Sequence, residues 1–453
     1  MTGRSRRTAV AAALAGLTVV TACTGEVEEP TSEASTSAAS TAPSADASTP
    51  AATADPEPEP SCTQPVVLTR HHRLGPFRLT EARARRWAAD PPPGVRVVPA
   101  HDVTPRVRVA VVDGVHPLRR PAAYPIQEPV PDGVACPPRR GATMTVVGDV
   151  MLGRRVAAAA DRPGAQLAAT APRLRRADVA VGNFESTLSR AGAPTQGGDS
   201  FAADPTVARA LRRAGFDVLS LANNHAGDFG PLALRQTVRR LRAAGLETFG
   251  AGRDLRAARE PVVVTVRGST YGVLGFNAIG ETPYAGPGRP GANSVSMPPR
   301  TGPLDRRELR RFLADVRALD RRVDAVVALP HWGTQYTNVP EPVQRYVARR
   351  LVAAGADLVV GGHPHWVQGM STVDGAVVAH SLGNFVFDMD FMTETMAGVV
   401  LETVWWDGRL VAVEPVPYRM DATFTPRWVP WGRAGDTLRL LGETSGPAFR
   451  VGR

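Results

Sequence analysis

A chain of 453 residues is long enough for one large domain and a smaller companion. It carries a formal charge of +10, and every one of its 53 basic residues is an arginine, a side chain suited to bidentate pairing with carboxylates and phosphates. That balance fits an anionic partner or a solvated basic surface. With no zinc-finger spacing, single-strand stacking signature or basic recognition helix, it argues against nucleic acid.

Residues 1–22 read as an export signal. Arg4, Arg6 and Arg7 form a basic start, and residues 8–20 form an apolar stretch too short for a comfortable membrane span. Val20-Thr21-Ala22-Cys23 resembles a bacterial lipobox. The expectation is cleavage before Cys23, lipidation of its thiol and a chain held at the outer face of the cytoplasmic membrane by more than one acyl group. Residues 23–61 are rich in Ser, Thr, Ala, Pro and Glu, with hardly any large apolar residue. Such a segment cannot bury enough surface to offset its ordering entropy, so it reads as a disordered linker.

Of three cysteines, Cys62 and Cys136 remain once Cys23 is set aside. In an oxidising compartment they are expected to pair. They bracket residues 62–140, with apolar runs at 65–68, 95–99 and 107–112 and a helical stretch near 79–89, which read as a small α/β module. His71, His72, His101 and His116 lie here without acidic or cysteine partners at ligand spacing, and read as surface or packing residues.

From Gly141 short β-branched runs alternate with arginine-rich amphipathic segments, the pattern of an α/β fold. Strands are expected at 143–147, 178–181, 218–221, 262–266, 271–276, 325–329, 358–360 and 376–380. Helices are expected from Asp204-Pro205 to Gly215, from Pro231 to Gly245, over 304–319, and from Glu341-Pro342 to Gly355. This domain is assigned to 141–420. Residues 421–453, rich in Trp, Arg and Pro without a clear period, read as a C-terminal extension.

The strand ends carry the chemistry. Residues 143–147 run into Gly148-Asp149, and 178–181 into Gly182-Asn183-Phe184-Glu185. Residues 218–221 run into Ala222-Asn223-Asn224-His225, and 325–329 into Pro330-His331-Trp332. Residues 358–360 run into Gly361-Gly362-His363-Pro364-His365. In α/β sheets ligands bind in the crevice outside the carboxyl ends of the strands. Alone, each of these residues is more simply a turn former or a capped polar group. Together, carboxylate, amide and imidazole donors at one level suit one or two divalent ions of Mn, Fe or Zn. Two such ions about 3.5–4 Å apart clamp a phosphoryl group during in-line attack. His225 needs an orienting acceptor; Asp228 is near enough in sequence, and equally reads as a turn residue. Arg154 is a candidate for binding an anionic substrate, or a plain first-turn arginine. Ser381 lacks a Gly-x-Ser-x-Gly context and is rejected as a nucleophile.

The ordered set GDVMLGR, GNFE, LANNH, PHWG, GGHPH and SLGNFVFD resembles the CapA family of capsule or poly-γ-glutamate synthesis proteins, over roughly residues 141–400. The resemblance implies a calcineurin-like metallophosphoesterase domain, a four-layer α/β/β/α sandwich. It implies Asp149 as the first aspartate ligand, Asn224 as the amide ligand and His225 as the general acid. It implies that His331 and His363 complete a second metal site, that His365 serves the first and that Glu185 bridges. Asn183 takes the place of the wider superfamily's Gly-Asp aspartate, and Asn384 supports the site from behind its ligands. Met151 stands where the superfamily's Asp-x-His motif has a histidine, so the first site is expected to be the weaker.

Two readings follow. One is a lipid-anchored, metal-dependent hydrolase acting in synthesis, release or attachment of an anionic envelope polymer, with poly-γ-glutamate implied by the resemblance and capsule-synthase components as partners. The other is a non-catalytic envelope lipoprotein that binds a polyanion or a synthase and keeps a degenerate metal site. Met151 favours the second; the Asn224-His225 pair favours the first.

Overall fold

The computed structural model describes residues 62–71 and 77–450. The export signal, Cys23 and the linker to residue 61 lie outside the described residues, as do His72 and the side chain of His71. Among the described residues no helix is long and apolar enough to cross a membrane.

Residues 62–140 build a four-stranded antiparallel sheet. Strand β1 (Thr63–His71) pairs with β2 (Val95–Pro99), β3 (Val107–Val109) and β4 (Gln127–Pro129). Helix α1 (Glu81–Ala89) starts where the Thr80 side chain accepts from Arg83 N, a standard N-cap. The run expected at 107–112 is two strands. After Val109 the pairing passes from β1 to Arg78–Leu79, which takes Val111–Val112 in parallel. Cys62 and Cys136 are joined by a disulfide, with Cα atoms 6.0 Å apart. His101 contacts Gln64 Oε1 at 2.6 Å, and His116 Nδ1 accepts from Leu118 N at 3.1 Å.

The rest is a mixed α/β fold with two large sheets. In chain order the strands are β5 (Ala142–Val150), β6 (Val179–Phe184), β7 (Val218–Ser220), β8 (Glu247–Phe249), β9 (Val262–Val266), β10 (Ser269–Asn277), β11 (Ala325–His331), β12 (Leu358–Val360), β13 (Val367–Val373), β14 (Ala376–Leu382), β15 (Asn384–Val386), β16 (Ala397–Trp406), β17 (Arg409–Met420) and β18 (Pro426–Trp428). The first sheet has the order β8-β7-β6-β5-β16-β17-β18, with β15 also on β5. The second has the order β9-β10-β11-β12-β14-β13. Within them β5 to β8 run parallel, and so do β10, β11, β12 and β14.

Inner faces of both sheets share one core, with Val146, Val181 and Leu401 from the first and Val273, Val327 and Val377 from the second. After the short helices α2 (Arg154–Ala158) and α3 (Ala171–Leu174), the outer face of the first sheet is covered by α4 (Val207–Ala214) and α5 (Gly230–Ala243). The outer face of the second is covered by α6 (Arg306–Asp320) and α7 (Pro342–Ala353). Strand β11 is buried along its whole length, as expected of a parallel strand covered on both faces. Glu341 and Gln344 close a capping box at the start of α7, with Pro342 in the first turn.

Three differences from the sequence reading have local causes. Helix α4 begins at Val207 because Asp204 accepts from the Thr206 amide and hydroxyl, holding a turn there first. The hairpin β16–β17 was not expected. Its signal is Asp407-Gly408, both left-handed at φ 48 and 75, the composition of a tight two-residue hairpin turn. The segment after residue 420 is not featureless: β18 extends the first sheet, and α8 (Gly435–Glu443) buries Leu438 and Leu441. A three-residue strand and a short helix within Trp/Arg/Pro-rich sequence leave little periodicity to read. The N-terminal module is continuous with this core, since Val67, Val109 and Leu118 pack with Val404, Trp406 and Val411.

Candidate metal centre

Parallel strands of both sheets end at one cluster: within the second sheet His331 bridges Gly362, and the chain passes from β14 of that sheet to β15, which pairs with β5 of the first at Asn384 and Asp149. Asp149 is the penultimate residue of β5, Asn183 lies on β6 with Glu185 just beyond its end, and His331 ends β11. Asn224 and His225 follow β7, and the Gly-Gly-His-Pro-His turn follows β12. All of these donors are buried. Asp149, Glu185 and His331 each offer a ligand atom, all within 4.8 Å of one another. His331 therefore stands against the carboxylates as well as beside His363, whose ring centroid is 5.0 Å away.

Asn183 Nδ2 donates to Asp149 Oδ1 and to Glu185 Oε1, each at 2.8 Å, and so stitches the two acids together. His331 Nε2 lies 2.9 Å from Asn224 Oδ1 and 3.5 Å from Glu185 Oε1. The backbone N–H of His363 donates to Asp149 Oδ2 at 3.1 Å. His365 Nδ1 is 3.7 Å from the same oxygen and donates to Asn384 Oδ1 at 2.7 Å. That bond fixes the ring and leaves Nε2 as the nitrogen with a free lone pair. Asn384→Ala is accordingly expected to weaken metal affinity ~10–100-fold, read by calorimetric titration, with the fold intact.

Whether these residues suit a metal can be tested on atoms without protein partners. Glu185 Oε2 and both ring nitrogens of His363 are buried with no hydrogen-bond partner. Buried polar groups are almost always satisfied, and an ion is one recognised reason for an exception. Burial, then the neighbouring Asp149 carboxylate, holds the Glu185 carboxyl well above the usual range. Burial, then the surrounding imidazoles, pushes His331 and His363 well down, which keeps them neutral and able to ligate. Hard carboxylate and amide oxygens with neutral imidazoles are a donor set for Mn, Fe or Zn, and the residues fit such an ion.

The backbone is shaped for this cluster. His363 and His365 adopt left-handed conformations, φ 94 and 59. That geometry costs a non-glycine residue on the order of 1–3 kcal/mol and persists where surrounding structure imposes it. Between β12 and His363, a Cβ on Gly362 would lie 2.7 Å from Asp149 Oδ1 and 3.2 Å from His331 Nδ1. Only a glycine lets the turn approach the acids this closely.

His225 and Asp228 form a dyad beside the cluster. His225 Nδ1 donates to Asp228 Oδ2 at 2.9 Å. Asp228 also accepts from the Phe201 amide at 2.6 Å. The Asn224 amide donates to His225 Nε2 at 2.9 Å while its oxygen lies 2.9 Å from His331 Nε2, so this one side chain spans dyad and cluster. Phe201 stacks on the His225 ring at 3.7 Å between centroids. Asn223, which the sequence reading left without a role, donates to Asn183 Oδ1 and accepts from His225 N, at 2.9 and 3.0 Å. It joins dyad to cluster, and its only sequence signal is the repeated Asn in LANNH.

Arg154 is engaged within the fold. Its guanidinium bonds to buried Asp388, with Nε 3.1 Å from Oδ2, and lies 4.3 Å above the Phe201 ring. Its charge is balanced inside the protein before any substrate arrives, so it buttresses Phe201 and the dyad. Met151 is fully buried in the outer core, and its sulfur accepts from Gly153 N at 3.1 Å. Trp332 packs behind the site and donates to His380 O.

Residues 143–389 match the family described as "Bacterial capsule synthesis protein PGA_cap". The chain is 33% identical over 282 residues to "Capsule biosynthesis protein CapA" of Bacillus anthracis, covering 61% of this chain and 66% of that protein. It is 32% identical over 247 residues to "PGA biosynthesis protein CapA" of Bacillus subtilis (strain 168), covering 53% and 62%. A "Probable polyglutamine synthesis accessory protein" of Mycobacterium tuberculosis (strain ATCC 25618 / H37Rv) is 28% identical over 256 residues, covering 54% and 66%. The chain thus spans just under two thirds of the length of each of these relatives. The matched span opens on β5 and closes past Asn384, and so encloses every donor described above. The chain belongs to the bacterial capsule synthesis family PGA_cap.

Proposed function

We propose that this protein is a CapA-type metal-dependent hydrolase of the cell envelope, built on a metallophosphoesterase-like four-layer sandwich. It is held at the outer face of the cytoplasmic membrane through lipidated Cys23 and acts, with capsule-synthase components, in synthesis, release or attachment of an anionic capsular polymer. The names of the relatives point to poly-γ-glutamate as that polymer. The observation that carries the reading is the convergence of orphaned, buried donor atoms beside a carboxylate-oriented histidine. Asp149, Glu185, Asn224, His331, His363 and His365 would hold one or two divalent ions. When bound, such an ion supplies Lewis-acid polarisation of the scissile group and makes water nucleophilic at neutral pH.

The chain's own residues do the rest. Asp228 fixes the His225 ring through Nδ1, and Nε2, which accepts from the Asn224 amide in the resting site, is the nitrogen that takes up a proton and delivers it to the leaving group. Asn384 holds His365, and Asn183 keeps the two acids at a set separation. Tyr336, stacked on His365 at 6.0 Å, and Phe387, at 5.0 Å, limit water around that imidazole.

A second reading rests on Met151, which puts a thioether, already engaged by Gly153 N, where an imidazole ligand would stand. It is a non-catalytic envelope lipoprotein binding a polyanion or a synthase. One experiment separates the two. The purified chain, loaded with Mn, Fe or Zn, is assayed on a generic phosphodiester and on poly-γ-glutamate. The enzyme reading expects turnover on one of them that falls ~10²–10⁴-fold in His225→Ala with bound metal unchanged. Metal binding without turnover on either substrate, or turnover indifferent to His225→Ala, sinks it. The intact mass of protein extracted from membranes tests lipidation at Cys23.

A further inference from the structure

The N-terminal module and the first sheet enclose a second feature that the metal centre does not use. Between β3 and the hairpin β16–β17 lies a cleft of ≈ 410 Å³. Arg78, Arg108, Arg119 and Arg120 enter it from the module, and Arg173 and Arg176 from the main domain. Two carboxylates stand among these six guanidiniums. Glu402 receives Arg119 Nη2 at 2.6 Å and Arg173 Nε at 2.5 Å, and Glu414 receives Arg108 Nη2 at 2.6 Å. Arg108 and Arg173 are further set by aromatic rings, 5.2 Å from Trp431 and 4.9 Å from Trp428. The Nε of Arg119 is buried with no partner. Arg78, Arg120 and Arg176 are exposed, and among the described residues the two acids lining the cleft, Glu402 and Glu414, are held by other arginines.

The cleft is separate from the metal centre. Glu402 is in register with Thr145 on β5, four residues before Asp149, or ~13 Å along an extended strand. It lies on the outward face of β16, whose other face carries Val399 and Leu401 into the core between the sheets.

We propose that this cleft binds a chain bearing several carboxylates, an acidic polypeptide, and that the N-terminal module exists to complete it. Three features select that chemistry. Arg108, Arg119 and Arg173 already hold carboxylates here, so the cleft accommodates guanidinium–carboxylate pairs beside its three exposed arginines. Walls made by Val107, Val109, Val404 and Val413 suit the methylene stems of acidic side chains. Glu402 and Glu414 repel a polyanion of closely spaced charges, whereas carboxylates on flexible side chains can settle between them. The inference goes beyond the hydrolase reading and holds whether or not the metal centre turns over.

The test uses the full chain and fluorescein-labelled decaglutamate, followed by anisotropy at low salt, with decaglutamine and a polyphosphate of equal charge as comparisons. In one variant Arg78→Gln, Arg120→Gln and Arg176→Gln are combined. In a control, Arg306→Gln, Arg310→Gln and Arg317→Gln remove the same charge from exposed positions on α6. Decaglutamate affinity is expected to fall at least about tenfold in the cleft variant and less than about threefold in the control, because bidentate pairing is local while net charge is shared. Arg176→Glu alone gives a smaller loss of the same kind and serves if the triple variant misfolds. Equal losses in cleft and control variants overturn the site. Polyphosphate held more tightly than decaglutamate, with the same dependence on the cleft arginines, overturns the carboxylate assignment.

Discussion

Asp149→Asn is expected to abolish divalent metal binding at the centre and, with it, the metal-dependent part of the protein's stability. Asp149 is fully buried and touches three neighbours of the cluster: Asn183, the His363 amide and His365. The substitution keeps shape and volume, so packing is preserved, but it removes the charge that a cation must meet. An ion that binds only the folded state at a hundredfold over its dissociation constant adds ~2.7 kcal/mol, which for a chain of this size is roughly 3–5 °C in melting temperature. The wild type should show that rise on addition of Mn or Zn and lose it with a chelator, and Asp149→Asn should show neither change. The metal-free variant should melt close to the metal-free wild type, since the lost interactions there are a few hydrogen bonds offset by the lower cost of burying an amide than a carboxylate. A metal-induced rise as large in Asp149→Asn as in the wild type contradicts the assignment.

Gly148→Ala is expected to be the most damaging small substitution in the domain. Strand β5 passes so close to the Gly383 carbonyl that a Cβ at residue 148 would fall well inside van der Waals contact with it. The atom it would strike is backbone, which cannot rotate away. The same Gly383 oxygen accepts from Asp149 N at 3.1 Å, so pushing the two segments apart also displaces Asp149. Overpacking of this kind costs about 3 kcal/mol or more. Urea unfolding should show a clear loss of stability, and the folded fraction should bind metal weakly. A variant as stable as the wild type, with unchanged metal affinity, rules out this account of the close approach.

Much of the site could be read along the chain because parallel strands put their carboxyl ends at one level. Asp149, Glu185, Asn224, His331, His363 and His365 each follow a short apolar run, and counting runs was enough to gather them. Asp228 could be guessed because a histidine's orienting acid is here only three residues away. Contacts made by distant parts of the chain left no such trace. Arg154 looked free because Asp388, which neutralises it, is 234 positions later. Asn223 was left without a role because the groups it joins, Asn183 and the His225 backbone, come together only on folding. The left-handed conformations of His363 and His365 are equally invisible in sequence, since nothing in Gly-Gly-His-Pro-His prescribes them. The hairpin β16–β17 was legible in principle from Asp407-Gly408, and α8 was obscured by its length and its surroundings.

The claim at the centre of this account is that buried donors from both sheets hold a divalent ion beside the His225–Asp228 dyad. Anomalous diffraction from crystals grown with Mn²⁺ tests it most directly. The expected result is a peak ~2.0–2.3 Å from a carboxylate oxygen of Asp149 or Glu185 and from an imidazole nitrogen of His331, His363 or His365. That peak should disappear in Asp149→Asn crystals. Anomalous peaks confined to surface carboxylates, with Glu185 Oε2 and the His363 nitrogens still without a partner, would contradict it.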